Sequence, residues 1–91
     1  MSTIHSEKIN YNEAEKREIT TWPVWEKEPS RFPASYDSME ECYILEGEFV
    51  VETGNVRFSF GPGDFVVFPK GLECVWDIKT KVRKHYNFPQ Q

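Results

Sequence analysis

Glu40-Glu41-Cys42-Tyr43-Ile44-Leu45-Glu46-Gly47-Glu48 and Gly63-Asp64-Phe65-Val66-Val67-Phe68-Pro69-Lys70-Gly71 are the two stretches whose reading decides the fold. Each is a short run of aromatic, aliphatic and β-branched residues closed by glycine or proline, the composition of a strand bounded by turns. Between them Thr53-Gly54-Asn55 closes a hairpin and Gly61-Pro62-Gly63-Asp64 makes a tight corner. Working outward, the same alternation predicts strands near 22–27, 31–36, 40–46, 48–53, 56–60, 64–68, 72–78 and 82–88. Regularly spaced short strands without βαβ alternation indicate an all-β sandwich or barrel.

The remaining segments bound that barrel. Residues 12–19, Asn12-Glu-Ala-Glu-Lys-Arg-Glu-Ile19, place a capping residue ahead of acidic and helix-forming side chains, which predicts a short N-terminal surface helix or turn. A chain of 91 residues suits one domain, 1–91, with the barrel over roughly 22–88. Seven Phe, four Tyr and three Trp supply large side chains with which a small barrel can be filled.

Charge and cysteine usage exclude several function classes. The net charge is −4, and Lys and Arg are scattered except for Lys79, Lys81, Arg83 and Lys84, so no extended basic footprint for nucleic acid exists. No apolar run of about 18 residues predicts a membrane span, and the first residues carry no leader pattern, so a cytoplasmic protein is expected. Cys42 and Cys74 form neither a CxxC knuckle nor a disulfide framework and are expected to be reduced thiols.

The two opening stretches resemble the paired signatures of the cupin superfamily. The first has a glutamate, a tyrosine, two aliphatics and a Glu-Gly turn; the second has glycine, five residues, proline, one residue, glycine. The resemblance implies a double-stranded β-helix, or jelly-roll barrel. Trp22-Pro23-Val24-Trp25-Glu26, Pro69-Lys70-Gly71-Leu72-Glu73-Cys74 and Arg83-Lys84-His85-Tyr86 add a likeness to small stand-alone cupins. These are the ones grouped with ureidoglycine aminohydrolase and the ethanolamine-utilisation Q-type proteins.

In metal-binding cupins three histidines and a glutamate hold the ion, and the resemblance locates those positions here. Glu40 takes the glutamate position, seven residues before Gly47. The first two histidine positions fall on Ala34 and Tyr36, or on Pro33 and Ser35 if the spacing is one longer, and the third falls on Cys74. A carboxylate, a thiol and a phenol make a poor divalent site, so no metal and no cofactor is expected. Zn held by Glu40, Cys74 and a third donor such as His85 is the alternative.

Strand parity places Cys42 and Ile44 on the face of Glu40, and Trp76 and Ile78 on the face of Cys74. On the last strand, either Val82, Lys84, Tyr86 and Phe88 face inward, with Lys84 as counter-ion to Glu40, or His85 does. The expected catalytic group is Glu40 with Cys74 and Tyr36. Trp25, Cys42, Trp76, Lys84 and His85 are the expected ligand-binding wall, although Cys42 and the tryptophans also read as ordinary packing residues.

Three functions compete. One is an enzyme acting on a small molecule without metal, Glu40 being the general acid or base. Another is a non-catalytic binder of a small ligand at the barrel mouth. The third is a structural oligomer. A homodimer is expected in any of these, through Tyr43, Leu45, Phe49 and Val51, which share one parity.

Overall fold

A computed structural model of the chain describes residues 3–89. Its strands are β1 (His5–Lys8), β2 (Val24–Lys27), β3 (Arg31–Ser35), β4 (Glu40–Glu46), β5 (Phe49–Thr53), β6 (Val56–Phe60), β7 (Asp64–Phe68), β8 (Glu73–Ile78) and β9 (Val82–Asn87). They form two antiparallel sheets, ordered β1-β7-β4-β9-β2 and β3-β8-β5-β6. This is the jelly-roll sandwich the two signatures imply.

Every expected strand is present, and β1 is an addition. His5-Ser6-Glu7-Lys8 is polar and exposed on both faces, so no alternation announces it. It pairs with β7 through its backbone, and buried Ile4 and Ile9 pin its two ends. Helix α1 (Tyr11–Lys16) is capped by Asn10, whose side chain accepts from the Glu13 amide, so the cap lies two residues before the expected Asn12. A 3-10 turn over Ile19–Thr21 follows and leads through Trp22 and Pro23 into β2.

Alternation along the strands separates two apolar layers. Between the sheets, Phe49 and Trp76 stack with centroids 4.2 Å apart, and Phe60, Phe68, Ile44, Val51 and Val66 pack around them. On the outer side of the five-stranded sheet, Tyr43 packs with Ile9, Ala14 and Ile19, backed by Trp22, Leu45 and Phe65. The N-terminal segment therefore covers a sheet face and is not a mere surface turn.

This layering removes the expected dimer surface. Phe49 and Val51 belong to the layer between the sheets, whereas Tyr43 and Leu45 belong to the outer layer beneath the helix. Common parity within separate strands does not make a common face once those strands enter opposite sheets. Gly47, at the turn from β4 to β5, adopts φ +92° and packs on the Lys81 backbone so closely that a Cβ would overlap the Lys81 carbonyl. Glycine is required there both for its dihedral and for its lack of a side chain.

Candidate functional site

β4 and β9 bring the central pair together. On β4, Glu40, Cys42 and Ile44 are all buried and turn toward the space between the sheets. The neighbouring β9 places Lys84 opposite Ile44 in register, with its side chain on the same inner face. Lys84 Nζ donates to Glu40 Oε2 at 3.0 Å and to Cys42 Sγ at 3.3 Å, while Cys42 Sγ donates to Glu40 Oε2 at 3.1 Å. Two indole rings complete the surroundings of the ammonium, Trp25 from β2 and Trp76 from β8, each with its centroid 4.8 Å away. Such placement over aromatic faces is favourable for a desolvated cation.

This cluster forms one wall of an open cavity of about 660 Å³ between the sheets. Trp25, Phe32, Tyr36, Trp76, Tyr86 and Phe88 give it an aromatic lining, and Ser35, Asp37 and Ser38 stand with them. Tyr36 follows β3, stacks on Phe68 with centroids 5.0 Å apart, and accepts a hydrogen bond from Trp76 Nε1 at 3.0 Å. Its hydroxyl is thus engaged with Trp76, not with Glu40.

The protonation states follow from burial and charge. Burial, reinforced by the Glu40 carboxylate, pushes the Tyr36 phenol well above the ordinary tyrosine range. Burial also pushes the Cys42 thiol up to about 12, against the pull of Lys84 and with a further push from Glu40. For Lys84, burial opposes the charge, but the Cys42 sulfur, the Glu40 carboxylate and hydrogen bonds to both prevail, so its pKa lies above the ordinary lysine value. Because Cys42 keeps its proton at neutral pH, the formal negative charge beside the ammonium belongs to Glu40.

Not every expected residue joins this site. The open question on β9 resolves with Lys84 inside and His85 outside. His85 lies opposite Tyr43 in the register, on the outer layer, and its Nδ1 is 2.9 Å from the Trp22 carbonyl oxygen. A carbonyl only accepts, so the ring proton sits on Nδ1. Cys74 belongs to the inner apolar cluster, and the surface it presents lines a different depression with Ser35, Glu52, Thr53 and Glu73. Burial raises its thiol pKa as well. The alternative zinc set of Glu40, Cys74 and His85 is therefore not assembled, because His85 faces the outer layer, whereas Cys74 shares the inner cluster with Tyr36 and Trp76 as strand parity expects.

Seven of the described residues that line the cavity, Phe32, Ala34, Ser35, Asp37, Ser38, Tyr86 and Phe88, lay outside the expected catalytic and ligand-binding set. Tyr86 and Phe88 share the face of Lys84, so strand parity already carried their signal. Phe32 shares the face of Ala34 on β3, whereas Asp37 carries no such signal, because it reaches the cavity through the loop after β3. Among the described residues no group of three or more His, Cys, Asp or Glu stands close enough to hold a metal ion.

Comparison with known proteins agrees with this architecture. The family model for the EutQ-like cupin domain matches residues 14–86. A crystal structure of a DUF861 family protein from Thermotoga maritima is similar at 42% identity with a TM-score of 0.89, covering 94% of this chain and 99% of that one. The Clostridium difficile EutQ protein is similar in fold, at 15% identity and a TM-score of 0.65, covering 93% of this chain and 66% of that one. A putative ethanolamine utilization protein Q from Salmonella typhimurium is likewise similar, at 19% identity and a TM-score of 0.64, covering 91% and 66%. None of the curated proteins matches the chain.

Proposed function

The chain belongs to the EutQ-like cupin family, and from that premise we propose that it binds a small polar molecule in the inter-sheet cavity, with Glu40 as its proton or hydrogen-bond acceptor. The observation that carries this reading is the Lys84–Glu40 ion pair on the cavity wall. Buried ionic groups cost several kcal/mol in desolvation, typically more than apolar packing of the same volume, so stability alone is a weak reason for one.

Protonation states narrow the chemistry. Tyr36, Cys42 and Lys84 all have raised pKa values, so near neutral pH the cavity wall presents a phenol and an ammonium, with a thiol buried behind them. None of these is an activated nucleophile. Glu40 is the remaining proton acceptor in the cluster, and the hydrogen bonds from Lys84 and Cys42 both converge on Oε2 and leave Oε1 to other partners. A general-base role needs such an oxygen within reach of the ligand proton.

The donor set does not fit the metal of other cupins. The histidine positions hold Ala34 and Tyr36, or Pro33 and Ser35, and then Cys74. An ammonium already stands at hydrogen-bond distance from Glu40, where it would repel a divalent ion. No step of the proposal runs through a metal.

A thermal-shift screen of small metabolites, followed by turnover assays on the hits, tests this reading. Conversion by the native chain and its loss in Glu40→Gln supports the base role, and unchanged turnover overturns it. Binding without conversion leaves a non-catalytic ligand-binding cupin. A homodimer is also proposed, now through the free edge of β6, where Val56 is half exposed. Sedimentation showing only monomer at micromolar concentration overturns that part.

A further inference from the structure

We propose that the cavity takes a nitrogen cation, a protonated amine or an amidinium, an inference that rests on reading this cavity as the ligand site. The charge of the lining carries it. Asp37 and Glu40 are its carboxylates and Lys84 is the cation among the described residues that line it. Lys84 is already matched: its ammonium donates to Glu40 Oε2 and Cys42 Sγ and lies 4.8 Å from the centroids of both indoles. An anionic ligand therefore meets no uncommitted positive charge, and it meets Asp37 and Glu40 Oε1 instead.

Beside Lys84, Ala34, Ser35 and Ser38, the rest of the lining is carboxylate and aromatic ring. Glu40 Oε1 accepts from neither Lys84 nor Cys42, and it belongs to a side chain that is 11% exposed on the cavity wall. The exposed Asp37 carboxylate sits toward solvent, with the rings of Phe32, Tyr86 and Phe88 around the same space. Aromatic rings attract cations over their faces, as Trp25 and Trp76 already do for Lys84. Two carboxylates at different depths would grip a cation bearing several N–H donors, the inner one through Oε1 and the outer one at the mouth. The volume of about 660 Å³ is of the size that holds small organic ligands.

Benzamidinium, benzamide and benzoate share a shape and differ in charge, and they form the probe set. The readout is the three tryptophan indole signals in a nitrogen–proton correlation spectrum, assigned with Trp22→Phe. Trp25 and Trp76 line the cavity, whereas Trp22 sits on the outer layer and serves as the internal control. The expected result is that benzamidinium moves the Trp25 and Trp76 signals and leaves Trp22 still, with affinity at least about fivefold above benzamide and benzoate. That preference should shrink in Asp37→Asn, an exposed position whose change leaves the buried pair intact, and also in high salt. Benzoate binding as well as or better than benzamidinium overturns the cationic class while leaving the cavity as a ligand site. No movement of either cavity signal with any of the three at millimolar concentration overturns the cavity reading and this inference with it.

Discussion

Lys84 Nζ lies 3.0 Å from Glu40 Oε2, and the two side chains are only 6% and 11% exposed. Two charges so withdrawn from water are tolerated because each neutralises the other, which makes the pair far more sensitive to loss of one partner than to loss of both. Lys84→Met is expected to lower unfolding stability by about 3–5 kcal/mol, since it strands the Glu40 carboxylate beside apolar rings. Adding Glu40→Gln should restore more than half of that loss. Urea unfolding of the two single variants and the double variant checks the coupling, and simple additivity would show that the pair is not a unit.

Alkaline pH should unfold the protein ahead of any general charge repulsion. The folded chain holds the Cys42 proton up to about 12, whereas an ordinary thiol releases it near 9.0. A group whose pKa is raised in the folded state binds more protons there than in the unfolded chain, so stability falls as pH climbs. The contribution is whole below about pH 9 and is lost progressively toward about 12. Lys84, raised from 10.5, and Tyr36, raised from 10.0, add losses of the same sign at higher pH. Thermal midpoints measured across this range should decline from about pH 9, and Cys42→Ala should flatten the first part of the decline.

What the sequence displayed and what it concealed divide along local and non-local lines. The succession of strands along the chain, the hairpin at Gly54-Asn55 and the shared faces of Glu40 with Cys42 and of Cys74 with Trp76 are local patterns, and each could be read directly, while on β9 Lys84 was one of two choices for the inner face. Parity also offered His85 as an alternative, and only the wrapping of residues 19–22 over the outer face decides against it. Cys74 shows a related limit: its inward phase was readable and it does join the inner cluster, but that it also borders a second depression depends on how β3 and β5 flank β8. β1 escaped because a strand held by backbone pairing, with four exposed side chains, leaves no hydrophobic period.

The Tyr36 hydroxyl should matter more to the fold than to proton transfer. It accepts from buried Trp76 Nε1 at 3.0 Å, and its pKa lies well above the tyrosine range. Tyr36→Phe preserves the stack on Phe68 but strips the indole N–H of its acceptor, a loss of about 1–3 kcal/mol. Denaturant unfolding should register that loss. Turnover or binding at neutral pH, once a ligand is in hand, should change far less than in Glu40→Gln.

Two glycines with positive φ separate backbone strain from steric exclusion. Gly54 has φ +59° and open space around a built Cβ, so Gly54→Ala should cost only the left-handed dihedral, about 1–2 kcal/mol. Gly47 has φ +92°, and its Cβ would fall on the Lys81 carbonyl and within 2.8 Å of the Val82 Cα, all of it backbone that cannot swing away. Relief would require the segment entering β9 to move off the β4–β5 turn. Because β9 carries Lys84, that movement would pull the ammonium away from Glu40. Gly47→Ala should therefore destabilise the fold several times more than Gly54→Ala, and should weaken cavity binding where the protein still folds. Unfolding curves for both variants, with tryptophan indole shifts of the Gly47 variant, test the link; equal costs at the two positions would show that the Lys81 contact yields.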